Sequence, residues 1–174
     1  MKKQQIIEVL EEKHKELFLW LENHPYQKWM DGPHQKWTTG QHILHLENSA
    51  KLLNKALSMP KFLLKYKFGT SNRTSRTYEE VAKKYNERLA ENQEKTKKFN
   101  QDLKTPDIEK KYQLISKLQI LNKKLQYKTN KLKDKDLDTL LLPHPLMGKM
   151  TVREIIMWSV YHTDHHLDIL KKNY

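Results

Sequence analysis

The sequence has no cysteine. That removes disulfides, thiolate metal ligands and a cysteine nucleophile from consideration. It also suits a reducing compartment, so a cytoplasmic location is expected. Glycine and proline are scarce, with four and six residues, and no segment alternates β-branched with polar residues as a half-buried strand would. The composition therefore predicts an all-α chain. No apolar run approaches the roughly 20 residues of a membrane span. The segment Met1-Lys2-Lys3-Gln4-Gln5-Ile6-Ile7-Glu8 lacks the apolar block of a signal peptide. No membrane partner is expected. A length of 174 residues suits one domain over 1–174 with its own core.

Positive charge is abundant, at a formal net +12. Residues 51–76 hold seven Lys/Arg and no acid, and residues 79–135 hold sixteen against nine acids. A basic field attracts nucleic acid, anionic lipid or an acidic small molecule. Here the lysines follow helix outer faces without interleaved arginine or aromatic residues. A solvated surface is the plainer reading, and nucleic acid is disfavoured. In the segment 51–76, Lys65, Lys67 and Arg73 could steer an anionic thiol or carboxylate.

Apolar periodicity places five long helices. The first spans roughly 3–21, with Ile7, Leu10, His14, Leu17 and Leu21 on its stripe; a lone histidine there reads as a core residue with one satisfied hydrogen bond. The second opens at Thr38, with Gln41 completing a capping box, and ends before Pro60. His45 lies within its apolar pattern, whereas His42 reads as nearer the exposed start. A short helix is expected after Pro60. Thr77 and Glu80 cap a third helix to about 103, on a thin stripe of Val81, Tyr85, Leu89, Asn92, Thr96, Phe99 and Leu103. Pro106 starts a fourth, with Ile108, Tyr112, Ile115, Leu118, Leu125 and Leu132 on its stripe. The third and fourth are long and polar. They are expected as an antiparallel hairpin partly outside the core, or as a face for a second subunit. Residues 133–150 read as a linker in which His144, between Pro143 and Pro145, holds an extended turn; it could also reach the mouth of a site, but the turn is the plainer reading.

The last helix carries the chemistry. Thr151 and Glu154 form a third capping box, and Val152, Ile155, Ser159, His162, His166 and Ile169 follow at steps of three or four. His162 and His166, at i and i+4, thus share one inward face a turn apart and could share a metal ion. His165 is rotated off it. With His45 they make a plausible three-histidine site across two helices. Neutral imidazole suits Zn, Ni, Fe or Cu, and three protein ligands leave positions open for water or substrate. The alternative is a set of core histidines without metal. Asp164 and Asp168 lie off the stripe. Trp37, Trp158 and Tyr161 are candidates to line the pocket.

Three stretches carry a resemblance: Trp37-Thr38-Thr39-Gly40-Gln41-His42-Ile43-Leu44-His45-Leu46, Phe68-Gly69 through Asn72-Arg73, and His144-Pro145-Leu146-Met147-Gly148-Lys149-Met150-Thr151 through His162-Thr163-Asp164-His165-His166. In this order they resemble the DinB-like superfamily, which includes YfiT-type metal-dependent hydrolases, bacillithiol S-transferases and mycothiol-dependent maleylpyruvate isomerases. The resemblance implies a four-helix bundle, here with an additional helix and long connecting segments. It also implies a divalent metal, Zn or Ni, at His45, His162 and His166. A metal-dependent enzyme follows, either a thiol S-transferase or a hydrolase, with a small-molecule partner such as a low-molecular-weight thiol. The rivals are a basic helical nucleic-acid-binding protein and a non-catalytic metal-binding or dimerising module; a homodimer is compatible with any of these.

Overall fold

In the computed structural model, which describes residues 1–34, 36–100 and 102–174 apart from the side chains of Gln27, Phe99 and Asn100, the helices are α1 (Lys3–Glu22), α2 (Thr39–Ala56), α3 (Lys61–Phe68), α4 (Tyr78–Glu91), α5 (Gln93–Asn100), α6 (Lys111–Lys131), α7 (Asp134–Thr139) and α8 (Val152–Asn173). A short antiparallel hairpin, β1 (Leu141–His144) and β2 (Gly148–Thr151), precedes α8. The chain is helical, as its composition predicts. The bundle is α1, α2, α6 and α8: α6 packs on α1 and α2, and α8 packs on the same two. The additional helix is α4, which lies against α8.

Each element follows from local chemistry. All three capping boxes form. Thr38 Oγ1 accepts from the Gln41 N–H at 3.2 Å, and the Gln41 side chain returns the bond to the Thr38 N–H at 2.8 Å. Thr77 with Glu80, and Thr151 with Glu154, repeat the exchange. Inward stripes then join: Ile6, Leu10, Leu17 and Leu21 of α1 meet Ile43, Leu46 and Leu53 of α2 and Leu114, Leu118 and Leu125 of α6. Residues 151–160, at the start of α8, are buried without interruption. A helix covered on every side is a central one. His14 is the core residue expected: it is 3 % exposed, with Nδ1 2.8 Å from the Leu10 carbonyl.

Several expectations need correction. The third helix is two helices, α4 and α5, broken at Asn92, whose backbone turns to φ −120°, ψ 32°. Asn92 Nδ2 donates to the Arg88 carbonyl at 2.8 Å, beside the Asn92 backbone N–H that reaches the same oxygen at 3.1 Å, and so caps the end of α4. Of the residues placed on that stripe, the Phe99 side chain lies outside those described. The fourth helix does not start at Pro106. A 3₁₀ turn at Ile108–Lys110 comes first, and three residues per turn change the phase between Ile108 and the first turn of α6. Leu114 therefore turns inward, and Tyr112 is left 70 % exposed; Leu118 and Leu125 still face inward as expected. Instead of forming an outlying hairpin with α4, α6 is a full member of the bundle.

The linker 133–150 is also structured. In the hairpin Leu142 pairs with Met150, and Leu142 and His144 turn inward while Pro143 faces out. Gly148 turns the chain at φ 71°. Arg153 holds α7 to α8 through Asp134 at 2.7 Å and Asp138 at 2.6 Å. Arg73, expected to help steer a substrate, instead clasps Glu154 with both guanidinium nitrogens at 2.5 and 2.9 Å. Its charge is committed to the start of α8.

Candidate metal centre

Helix α2 presents His42 and His45 one turn apart, and α8 presents His162 and His166 one turn apart, where the two helices pack. The structure brings His45, His162 and His166 together, with one ring nitrogen of each lying within 4.8 Å of the others. The His162 Nε2 atom is 3.1 Å from His45 Nε2 and 3.1 Å from His166 Nε2. Ligands about 2.0–2.1 Å from a tetrahedral ion stand a little over 3 Å apart, so this spacing fits a single ion. His165 lines the same cavity without joining the cluster.

Electrostatics prepare the same use. Burial is the main cause in every case: it pushes His45 down to about 4 and His162 and His166 well below the ordinary 6.5, and neighbouring imidazoles add to the effect. All three are therefore neutral near pH 7, with lone pairs free, as ligation requires. His162 and His166 each have an indole parallel to them: Trp158 lies 4.6 Å from His162, and Trp37 lies 6.0 Å from His166.

His42 was expected near the exposed start of α2. It is instead 4 % exposed, with Nδ1 2.8 Å from His166 Nδ1. Its Nε2 lies 3.4 Å from the Tyr174 hydroxyl, which donates to the Trp37 carbonyl. If His166 uses Nε2 as a ligand, its Nδ1 must carry the proton. The chain of bonds then has one polarity: His166 Nδ1–H to His42 Nδ1, His42 Nε2–H to Tyr174 Oη, and Tyr174 O–H to Trp37. A partner of this kind fixes both the tautomer and the angle of a ligating imidazole. The signal for His42 in the sequence was its i, i+3 spacing to His45; Tyr174 left none.

Beside the cluster lies a cavity of about 360 Å³. Its walls are largely apolar, from Leu53, Met59, Phe68, Leu89, Leu142 and Ile155, and the three clustered histidines are part of the lining. Trp37 and Trp158 line it as expected. Tyr161 does not; its hydroxyl bonds to Asn86 at 2.7 and 3.0 Å. Asp164 is likewise turned away, paired with Lys13 at 3.1 Å. His144 does more than hold a turn, because its ring, 7 % exposed, is part of the cavity wall.

A sequence model of the DinB superfamily matches residues 9–170 of this chain. The chain belongs to the DinB superfamily. No curated protein matches it. The match spans α2, α6 and the hairpin and most of α1 and α8, and within this DinB fold the three histidines form a cluster compatible with a metal-dependent enzyme.

Proposed function

We propose that this DinB protein is a divalent-metal-dependent enzyme in which His45, His162 and His166 hold the ion, Zn or Ni, and which transfers a low-molecular-weight thiol to an apolar electrophile. The observation that carries the reading is the convergence of three neutral imidazoles in the wall of a largely apolar cavity. A divalent ion there supplies Lewis acidity, which deprotonates a thiol outright and brings a water only to near neutrality. Among the described residues no carboxylate lines the cavity, so the site has no acidic general base to set beside a water. This favours thiol transfer over hydrolysis. The apolar walls hold the electrophile and exclude water, and His42 keeps His166 in its ligating orientation. In the transfer the thiol proton leaves to solvent, sulfur bonds to the electrophilic carbon, and the leaving group departs with its electron pair.

The nucleic-acid alternative is weakened by the arginines. Arg73, Arg76, Arg88 and Arg153 are all in ion pairs with acids of the chain. Among the described residues, no helix is long and apolar enough to cross a membrane.

Metal analysis of untagged protein tests the ligand set. His162→Ala and His166→Ala are expected to lose most bound metal and His165→Ala to keep it; equal metal in all three variants defeats the assignment. His42→Ala is expected to retain a metal site about 10- to 100-fold weaker, the usual cost of losing a partner behind a ligand. Competition against a chromophoric chelator reads that change, and an unaltered affinity removes His42 from the site. The reaction is tested by incubating metal-loaded protein with small thiols and an aryl halide. Metal-dependent halide release supports transfer, and hydrolysis of esters without thiol transfer overturns it.

A further inference from the structure

The cavity holds a polar atom that the thiol-transfer reading does not use. His144 Nδ1 accepts the backbone N–H groups of Leu146 and Met147, both at 3.1 Å. A nitrogen that accepts two donors carries no proton, so the neutral ring has its proton on Nε2. That atom has no hydrogen-bond partner among the described residues, although the residue is more than nine-tenths buried. The ring is wedged at 4.3 Å against Trp158, the indole that stacks on His162. Tyr85, whose ring lies 6.2 Å from His144 and 6.1 Å from His162, adds a hydroxyl that is also without a partner among the described residues.

With no protein partner and not itself sealed from solvent, this N–H is left open for a ligand, and a site built around such a donor discriminates in favour of ligands that accept from it. The surrounding wall is apolar, among the described lining residues it has no acid, and the exposed Lys95 stands on it. We propose that the cavity takes a ligand with an apolar body and an oxygen-acceptor head, a carboxylate or carbonyl, to which His144 donates from Nε2. The proposal rests on the reading of the three histidines as a metal site, because it places the acceptor oxygen of the electrophilic partner beside that site. His144 is thus a substrate-orienting residue, and its β-hairpin is the element that fixes which atom it offers.

The test uses hexanoate and 1-hexanethiol as probes on the full chain, followed by the fluorescence of Trp37 and Trp158. His144→Asn is the informative variant. The Asn oxygen can still accept from the Leu146 and Met147 N–H groups, so the turn is kept, but the donor into the cavity is lost. On zinc-loaded protein, hexanoate is expected to bind at least tenfold more tightly than acetate, since each buried methylene contributes. His144→Asn is expected to weaken hexanoate about tenfold, the scale of one hydrogen bond to a charged group. It is expected to leave both 1-hexanethiol affinity and zinc content unchanged. His144→Gln, which can carry an amide N–H towards the old Nε2 position, should recover part of the loss. Equal hexanoate affinity in wild type and His144→Asn overturns the proposal, as does a wild type that does not bind hexanoate. If the wild type holds no zinc, the metal reading fails alone: hexanoate titrations of the metal-free proteins still decide whether His144 donates.

Discussion

With chelator present, the protein is expected to lose its fold between about pH 6 and pH 4.5, well above the range in which most small domains unfold in acid. Six histidines are held neutral by burial: His14, His42, His45 and His144 are pushed down to about 4, and His162 and His166 well below the ordinary 6.5. In the unfolded chain each titrates near 6.5. A depressed folded value means that the unfolded state takes up protons first. The cost to the fold is absent above about 6.5 and grows as pH falls towards 4. Each such group changes stability by up to about 1.4 kcal/mol per pH unit, so six together reach on the order of 8 kcal/mol per unit. Total stabilities of about 5–15 kcal/mol are exhausted within one to two units. Helicity followed against temperature from pH 7.5 to 4.5 reads this directly. Saturating divalent metal binds only the folded state and should carry the transition to lower pH by RT ln(1 + [L]/Kd). A melting temperature that is flat from pH 7 to 5 in chelator would mean that these imidazoles are not buried neutral.

Glu154→Leu is expected to cost about 3–5 kcal/mol, among the largest effects of any single substitution away from the cavity. Its carboxylate is fully buried and is held by Arg73, by the Arg76 side chain at 3.2 Å, and by the backbone N–H groups of Arg76 at 2.8 Å and Thr151 at 3.1 Å. Removing it leaves two guanidinium groups facing an apolar wall and opens the cap of α8. Burial raises this carboxyl, but Arg73 and the two backbone donors outweigh it and hold it below the ordinary 4.5. Its contribution is therefore present above 4.5 and is lost only as pH falls below that, after the histidines have begun to titrate. Urea unfolding at pH 7.5 measures the loss. A double variant, Arg73→Leu with Glu154→Leu, should lose less than the two single losses added together. Strict additivity would show that the pair does not act as a unit.

What could be read from the sequence and what could not divide along the range of the interaction. The caps at Thr38, Thr77 and Thr151 use partners three residues away, and all three were legible. So was the shared face of His162 and His166, because four residues is close to a helical turn. The pairing with His45 was legible through its place on an apolar stripe and through the family resemblance. The break at Asn92 was not, because an asparagine on a polar helix carries no periodic signal. The β-hairpin was missed because each strand has four residues and one contains proline, too short for a period of two to register. Tyr112 was placed inside because the 3₁₀ turn before it changes the phase count. Arg73 and Glu154, and His42 and Tyr174, meet only through the tertiary fold. No local pattern announces a contact across 81 or 132 positions.

The cavity's two walls have different owners. One is made by α2, α8 and the hairpin, which also carry the core. The other includes Leu89 of α4 and Lys95 and Thr96 of α5, which lie outside the four bundle helices; α4 rests on α8, and α5 packs on α4. Lys95 on α5 can therefore change size and polarity with little penalty to the bundle, while the histidines stay fixed on the core helices α2 and α8. Over evolutionary time, such a chain can alter what it accepts without altering the centre that acts on it: selection for a new ligand and selection for a stable fold fall on different segments.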